Sequence, residues 1–228
     1  MGTLGLDRVV LVQSVIYRED PAMTAAALAA MGPAARGVAL LRPEVTDADL
    51  DALHAAGFRG VRLDLVHPGA LRPADLTALA PRLARLGWHV QVFGRWAEHE
   101  ALISDLAHRL PCPLVLDHLA YAGAGGPRDP AFGRLLALLG EGALWVKLSS
   151  LYRQGPPDAL APLVAALARA NPARLLWGSN WPHVRWDGPL PEEAELIEAV
   201  QDGLGSGAAD AAFRDNPAAL YGFGAPAS

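Results

Sequence analysis

Short apolar segments alternate with alanine- and leucine-rich helical segments along the whole chain, and this alternation limits the possible folds more than any other feature. Strands that alternate with helices indicate a parallel sheet covered by helices. The strand segments are apolar almost throughout, as expected for parallel strands buried on both faces. Seven strands are predicted, at residues 9–15, 37–41, 60–65, 89–93, 114–119, 144–149 and 175–179.

Helix-capping residues mark the segments between these strands. Thr46 begins a helical run, Asp49 follows it at the spacing of a capping box, and Gly57 ends the run. Pro73 opens the next helix, which ends at Gly87. Helices are predicted at residues 21–31, 46–57, 73–86, 97–110, 130–139, 157–170, 191–204 and 208–220.

The number of strands bears on the architecture. A closed barrel of parallel strands normally has eight. Seven units that start almost at residue 1 therefore predict an α/β chain with a (β/α)8 TIM-barrel fold that lacks its first strand and ends in C-terminal helices. Residues 1–228 are expected to form this single, N-terminally incomplete domain. An open doubly wound sheet is the alternative, but no GxGxxG or GxxxxGK[ST] loop follows any strand.

Composition excludes several classes of protein. The 228 residues carry a net charge of −5, and no run of basic residues suggests a nucleic-acid partner. No stretch of 18 apolar residues predicts a membrane helix, and the start lacks the basic and apolar regions of a signal peptide. The single cysteine, Cys112, cannot form an internal disulfide. We therefore expect a cytoplasmic protein.

Polar residues recur where the predicted strands end. In a barrel of this kind the active site lies at the carboxyl ends of the strands. Polar side chains in apolar strands are costly to bury unless they are paired, so their recurrence at one end favours a site. They are Tyr17, Arg18, Arg42, Arg62, Asp64, Gln91, Arg95, Asp117, His118, Lys147, Ser149, Tyr152, Arg153, Asn180, Trp181 and His183.

Most of these residues allow both a structural and a functional interpretation. A buried Arg62 needs an anionic partner, which is either Asp64 or another core carboxylate, or a carboxylate on the substrate. His118 is either a core histidine satisfied by a neighbour or a group that acts on substrate. Lys147 and Ser149 point to the same face of their strand.

Two aromatic residues and a loop pair are similarly ambiguous. Trp177 and Trp181 flank the end of the last strand, where tryptophan either packs in the core or lines a ligand cage. Tyr152 and Arg153 are either solvated loop residues or part of the site.

Seven motifs occur in an order that carries a family resemblance. Together they resemble the amidohydrolase-related (amidohydrolase 2) family, and most of all its 2-pyrone-4,6-dicarboxylate lactonase and sugar-lactonase-like members. The motifs are Val-Leu-Val-Gln at 10–13, Arg-Gly-Val-Arg at 59–62, Gly-Trp-His-Val-Gln at 87–91, Leu-Asp-His at 116–118, Val-Lys-Leu-Ser at 146–149, Leu-Trp-Gly-Ser-Asn-Trp-Pro-His at 176–183 and Asp-Asn-Pro-Ala-Ala-Leu-Tyr-Gly-Phe at 215–223.

The resemblance implies a TIM-barrel hydrolase of lactones, esters or amides, although some members decarboxylate or hydrate instead. It implies that an aspartate after the Gly-Ser of the last strand activates water, and that position is Asn180 here. By the same resemblance, His118 would polarise the carbonyl, while Arg62, Tyr152 and Arg153 would hold an anionic substrate.

The sequence departs from the family pattern in two ways. No His-x-His motif occurs, although the family's first strand carries one. Asn180 replaces an acid, and an amide can orient water but cannot serve as a general base. Gln91 stands where metal-dependent relatives often have a histidine, so only His118 remains as a plausible ligand. We therefore expect no bound metal and no cofactor.

The sequence thus predicts a hydrolase that opens a small anionic lactone or ester, with an activity that Asn180, in place of the catalytic aspartate, would impair. Asn180, His118 and His183 are the expected catalytic residues. The alternatives are a non-catalytic barrel that binds small anions, a decarboxylase or hydratase, and a reading frame that begins upstream and encodes the His-x-His strand. An exposed strand edge near residue 9 would favour a homodimer. The expected substrate-binding residues are Arg62, Tyr152, Arg153, Lys147, Ser149 and Gln91.

Overall fold

A computed structural model describes residues 5–224, with only the backbone at positions 124, 157 and 158. The chain divides into two compact units. The first comprises the described residues up to Phe93, together with Arg109–Leu114 and those from Ala218 onward. The second comprises Gly94–His108 and Val115–Pro217. Each unit is built from parallel strands and the helices that connect them.

The first unit contains four parallel strands that pair in chain order: β1 (Val9–Val12), β2 (Ala35–Ala39), β3 (Phe58–Asp64) and β4 (His89–Phe93). Three helices connect them: α1 (Ala22–Met31), α2 (Asp47–Ala55) and α3 (Leu76–Arg85). The strands are buried on both faces, and Val61, Leu63, Val90 and Val92 are completely inaccessible to solvent. This burial accounts for the nearly continuous apolar runs in the sequence.

The capping box at the start of α2 is confirmed. The Thr46 hydroxyl accepts a hydrogen bond from the Asp49 backbone N–H at 3.1 Å, and the Asp49 carboxylate accepts one from the Thr46 backbone N–H at 3.0 Å. The two bonds satisfy donors that the first turn of a helix would otherwise leave unpaired.

The second unit contains β5 (Leu114–Leu116, from its second residue on), β6 (Trp145–Leu148) and β7 (Leu175–Trp177). β6 pairs in parallel with β5 on one side and β7 on the other. α6 packs against both α5 and α7. The helices that follow β4 in the chain are α4 (Trp96–Arg109), α5 (Pro130–Gly140), α6 (Pro157–Ala170), α7 (Glu193–Leu204), α8 (Ser206–Asp210) and α9 (Asn216–Tyr221). A π-helical turn over Ala211–Asp215 precedes α9.

All seven predicted strands and their parallel pairing within each unit are confirmed, as is the α/β class. Six of the seven strands end one to three residues earlier than predicted, and beyond three of them the backbone turns to positive φ. His118 follows β5 with a φ of 55°, Ser150 follows β6 with 54°, and Asn180 follows β7 with 65°. An apolar pattern does not reveal such turns.

The incomplete single domain over residues 1–228 stays a prediction, since residues 1–4 and 225–228 lie outside the described part of the chain. Within residues 5–224, no helix has the length and apolar character needed to cross a membrane.

Candidate active site

The polar residues of the second unit gather where β5, β6 and β7 end. Apart from Lys147 in β6, these strands are apolar, and the backbone beyond each of them adopts a conformation with positive φ. Residues other than glycine rarely adopt this conformation, and asparagine and histidine do so more readily than most. Such backbones cluster at functional sites, where the surrounding structure holds them in place.

Lys147 and Asp117 form a buried ion pair on neighbouring strands. The Lys147 ammonium lies 3.0 Å from Asp117 Oδ1, and the two side chains are only 10% and 4% exposed. A charge buried this deeply needs an opposite charge close by. Lys147 therefore neutralises Asp117, the residue that precedes His118.

His118 is oriented by the next strand. Its Nδ1 lies 2.8 Å from the Ser149 hydroxyl, and its backbone carbonyl accepts a hydrogen bond from Gln154 Nε2 at 3.1 Å. The Ser149 contact fixes the direction in which the imidazole ring points. Lys147 contacts Asp117 and Ser149 contacts His118, two consecutive residues after β5. These contacts are consistent with the prediction that Lys147 and Ser149 point to the same face of their strand.

Asn180 contacts two hydroxyl groups. Its amide Nδ2 donates to Tyr152 Oη at 3.0 Å and to Ser150 Oγ at 3.2 Å. Because these contacts use both amide hydrogens, the Oδ1 oxygen is the part of Asn180 that can accept a hydrogen bond from water.

His183 lies between a phenol and a carboxylate. Its Nδ1 is 3.1 Å from Tyr152 Oη, and its Nε2 is 2.9 Å from Glu193 Oε1. The second distance is that of a hydrogen bond, although the carboxylate lies off the ideal direction of the ring N–H. Burial raises the pKa of the Glu193 carboxyl, and the neighbouring His183 opposes that rise.

Sequence reasoning missed Glu193. It lies in the first turn of α7, where an acidic residue is common because it interacts favourably with the helix dipole. Its contact with His183 depends on how α7 packs within the second unit, and no local motif records that packing.

Arg153 stabilises the loop after His183. Its guanidinium donates to the carbonyl oxygens of Val184 at 2.7 Å and Arg185 at 3.1 Å. It also lies 5.5 Å from the ring centre of Tyr152 and 5.3 Å from that of Trp186. Arg153 thus holds the Tyr152 ring and the 184–186 loop together.

Two predicted site residues, Arg62 and Gln91, belong to the first unit, where they occupy paired positions of β3 and β4. Arg62 lies 3.9 Å from Asp64 Oδ2, with its side chain 15% exposed, and its guanidinium is 4.7 Å from the ring centre of Phe93. Asp64 is therefore an ion partner of Arg62, as one of the two interpretations proposed.

Arg62 also lines a cavity of about 630 Å³ within the first unit. Cavities of this size commonly hold small ligands. Four arginines and three acidic residues line it, so its formal charge is positive. These are Arg18, Arg42, Arg62, Arg72, Glu19, Glu44 and Asp64.

The remaining expected catalytic and substrate-binding residues all belong to the second unit, where contacts link them in two groups. In one, His118 contacts Ser149 beside the Lys147–Asp117 pair. In the other, Tyr152 contacts Asn180, His183 and Arg153, and His183 also contacts Glu193.

A metal site needs several donor groups that converge on one point. Among residues 5–224, no three or more His, Cys, Asp or Glu side chains are grouped so that they could hold a metal ion. The described residues therefore do not fit a resident metal. The expected absence of a cofactor stays a prediction.

Comparison with known proteins gives a consistent family assignment. A family model described as amidohydrolase matches residues 1–223. D-galactarolactone isomerase of Agrobacterium fabrum is 32% identical over an alignment of 231 positions, which covers 97% of this chain and 78% of that protein. The 2-pyrone-4,6-dicarboxylate hydrolase of Comamonas testosteroni is 31% identical over an alignment of 213 positions, which covers 86% of this chain and 70% of that protein.

Solved structures resemble the chain over nearly all of its length. The crystal structure of an Agrobacterium tumefaciens protein superimposes with a TM-score of 0.86 at 31% identity, and the match covers 98% of this chain and 83% of that one. An amidohydrolase from Burkholderia multivorans, solved with bound zinc, has a TM-score of 0.70 at 22% identity, covering 98% and 86% of the two chains. At that identity the second likeness concerns the fold alone, and its zinc is a property of that protein.

Proposed function

Because the chain belongs to the amidohydrolase family, we propose that it catalyses the ring-opening hydrolysis of a small carboxylated lactone. Two relatives are named as hydrolases of such molecules, a pyrone dicarboxylate and a sulfomuconolactone. The observation that carries the proposal is the polar cluster after β6 and β7, where a phenol, an imidazole, an amide and a carboxylate lie in mutual contact.

The reaction needs an oriented water and a polarised carbonyl. Asn180 Oδ1 accepts a hydrogen bond from the water, and the His118 ring, held by Ser149, polarises the lactone carbonyl. Water adds to the carbonyl carbon, the ring C–O bond breaks, and the ring oxygen takes up a proton. The product is a hydroxy acid that ionises near neutral pH and releases one proton per turnover.

Recognition of the substrate carboxylate remains the predicted role of the substrate-binding residues. The role of Arg62 is supported by the arginine-rich cavity that it lines, because a positively charged cavity favours an anion, while the role of Gln91 stays a prediction. In the second unit, Lys147 contacts Asp117, and Arg153 contacts backbone carbonyls. Both residues would therefore combine a role in substrate binding with a structural role.

Isomerisation of a lactone is a second candidate function. It is favoured by the 32% identity to a protein named D-galactarolactone isomerase. In an isomerase the substrate's own hydroxyl attacks the carbonyl in place of water. The ring oxygen then leaves as a new hydroxyl, and no proton is released.

A pH-stat assay on a panel of carboxylated lactones, with products followed by proton NMR, tests both functions. Hydrolysis consumes base in proportion to ring-opened product, whereas isomerisation gives a new lactone without base consumption. The Asn180→Asp variant is assayed in parallel. Turnover by this variant alone would identify the natural chain as a binding protein, with ligand-dependent thermal stabilisation but no reaction.

Other outcomes are equally clear. Release of carbon dioxide would identify a decarboxylase. A folded wild-type chain and a folded Asn180→Asp variant that both leave every lactone unchanged would refute the proposal.

A further inference from the structure

Tyr152 is the residue through which the polar groups of the second unit connect. Its hydroxyl lies 3.0 Å from Asn180 Nδ2 and 3.1 Å from His183 Nδ1, and His183 in turn lies 2.9 Å from Glu193. The series therefore runs from amide to phenol to imidazole to carboxylate. Within this series, the phenol of Tyr152 and the imidazole of His183 are the groups that can accept a proton and transfer one to a neighbour.

We propose that Tyr152, coupled to His183 and Glu193, is the general base of the hydrolysis, in place of the acid that Asn180 cannot supply. This inference rests on the proposed lactone hydrolysis. Tyr152 is the catalytic residue, because it contacts the attacking water. His183 and Glu193 act through it, as proton acceptor and positioning residue.

The hydrogen-bond directions follow from the chemistry of each group. A carboxylate beside Nε2 favours the tautomer that carries its proton on Nε2, which leaves Nδ1 as an acceptor. Tyr152 then donates its single proton to Nδ1. Its oxygen accepts from Asn180 Nδ2, an N–H that stabilises negative charge as it develops on the phenol oxygen.

Charges around the series have the required signs. The Arg153 guanidinium, 5.5 Å from the Tyr152 ring centre, favours negative charge on the phenol. Glu193 favours positive charge on His183, and its side chain is only 16% exposed while that of His183 is 6% exposed. Tyr152 itself is half-buried. The inner end of the series is thus shielded from solvent, which strengthens the charge interactions.

The step balances in atoms and protons. As the water oxygen bonds to the carbonyl carbon, a water proton moves to Tyr152 Oη and the Tyr152 proton moves to His183 Nδ1. His183 becomes an imidazolium beside the Glu193 carboxylate. When the ring C–O bond breaks, the proton returns through Tyr152 to the leaving oxygen, and the neutral imidazole is restored.

Kinetics of single variants test the proposal. Tyr152→Phe keeps the ring and removes the hydroxyl, and we expect kcat to fall about 10²- to 10⁴-fold, the usual effect of losing a general base. A residue that only binds substrate would instead raise KM and leave kcat nearly unchanged.

Glu193→Gln should lower kcat by about 10- to 100-fold, the value of one charge-assisted hydrogen bond. Glu193→Asp should recover part of the rate. Glu192→Gln, at the exposed neighbouring acid, is the matched control and should leave kcat and KM unchanged.

A spectroscopic measurement tests the hydrogen-bond directions without relying on activity. Long-range proton–nitrogen correlation spectra of labelled protein, with the His183 signal identified by its loss in His183→Gln, should show the neutral ring protonated on Nε2. A ring protonated on Nδ1 would make Tyr152 an acceptor and overturn the proposal.

The remaining outcomes separate the two claims. A wild-type chain that opens lactones while Tyr152→Phe keeps its kcat within threefold overturns the role of Tyr152 and leaves the hydrolysis standing. A folded wild-type chain that opens none of the lactones refutes the hydrolysis, and with it the base.

Discussion

Removing the charge of Lys147 should destabilise the fold strongly. The Lys147→Met variant keeps the length of the side chain but leaves Asp117 buried, at 4% exposure, without the ammonium 3.0 Å away. At an effective dielectric constant near 20, two unit charges at this distance attract by about 5–6 kcal/mol. Burial of both charges costs part of that energy. The expected loss in the free energy of unfolding is therefore about 3–5 kcal/mol, the range typical of breaking a buried ion pair.

Such a loss is a large share of the total stability, which is about 5–15 kcal/mol for most native proteins. For a chain of this length it corresponds to a fall in Tm of roughly 6–20 °C. Urea unfolding followed by circular dichroism, together with calorimetry, measures both values. The loss should shrink at acidic pH, because a buried carboxyl deprived of the ammonium then takes up a proton.

Two further variants make the interpretation specific. Arg85→Met breaks an ion pair with Asp51 of similar length, 2.9 Å, whose side chains are 49% and 55% exposed, and it should cost at most about 1 kcal/mol. Adding Asp117→Asn to Lys147→Met should recover at least half of the lost stability. A loss at Lys147 no larger than that at Arg85 would refute the inference that the pair is buried and mutually dependent.

Four other outcomes are expected. Ser149→Ala should lower kcat about tenfold, because the His118 ring loses the hydroxyl that orients it, and steady-state kinetics against the wild type measure this. Burial raises the pKa of the Glu193 carboxyl in the folded chain. The contribution of Glu193 to stability is therefore present below its pKa in the unfolded chain and is lost as pH rises through its pKa in the folded chain. The urea midpoint of Glu193→Gln should exceed that of the wild type at neutral pH, and the two midpoints should converge in acid. Burial raises the pKa of the Cys112 thiol to about 11, so a thiol reagent at pH 8 should label it only after unfolding, and rapid labelling of the folded chain would contradict its buried position. Prolonged dialysis against EDTA should leave kcat unchanged, and a loss that zinc restores would show that the chain uses a metal.

The apolar runs were sufficient to locate every strand because parallel strands buried on both faces leave an unmistakable local signature. The Thr46–Asp49 capping box was equally visible, since both of its hydrogen bonds lie within four residues. The family motifs pointed to Asn180 and His183, whose mutual contact through Tyr152 the structure adds.

What the sequence could not reveal depends on distant packing. Glu193 lies at a helix start where an acid needs no special explanation, and only the placement of α7 brings it to His183. Likewise, a buried Arg62 required an anion, but the sequence left open whether Asp64 or a substrate supplied it. The left-handed turn after β5 follows no hydrophobic period, and its residues His118 and Leu119 fall within the predicted strand.

The left-handed backbone at His118, Asn180 and His183 restricts which amino acids evolution or an engineer can place there. Asparagine, aspartate, histidine and glycine accept such a backbone at low cost, whereas valine, isoleucine and threonine do not. A saturation library at these three positions would therefore be filtered twice, first by conformation and then by chemistry. Three of the four residues that pass the first filter at low cost carry a hydrogen-bonding or proton-accepting side chain, so the bends that end the strands can present reactive groups with little conformational penalty.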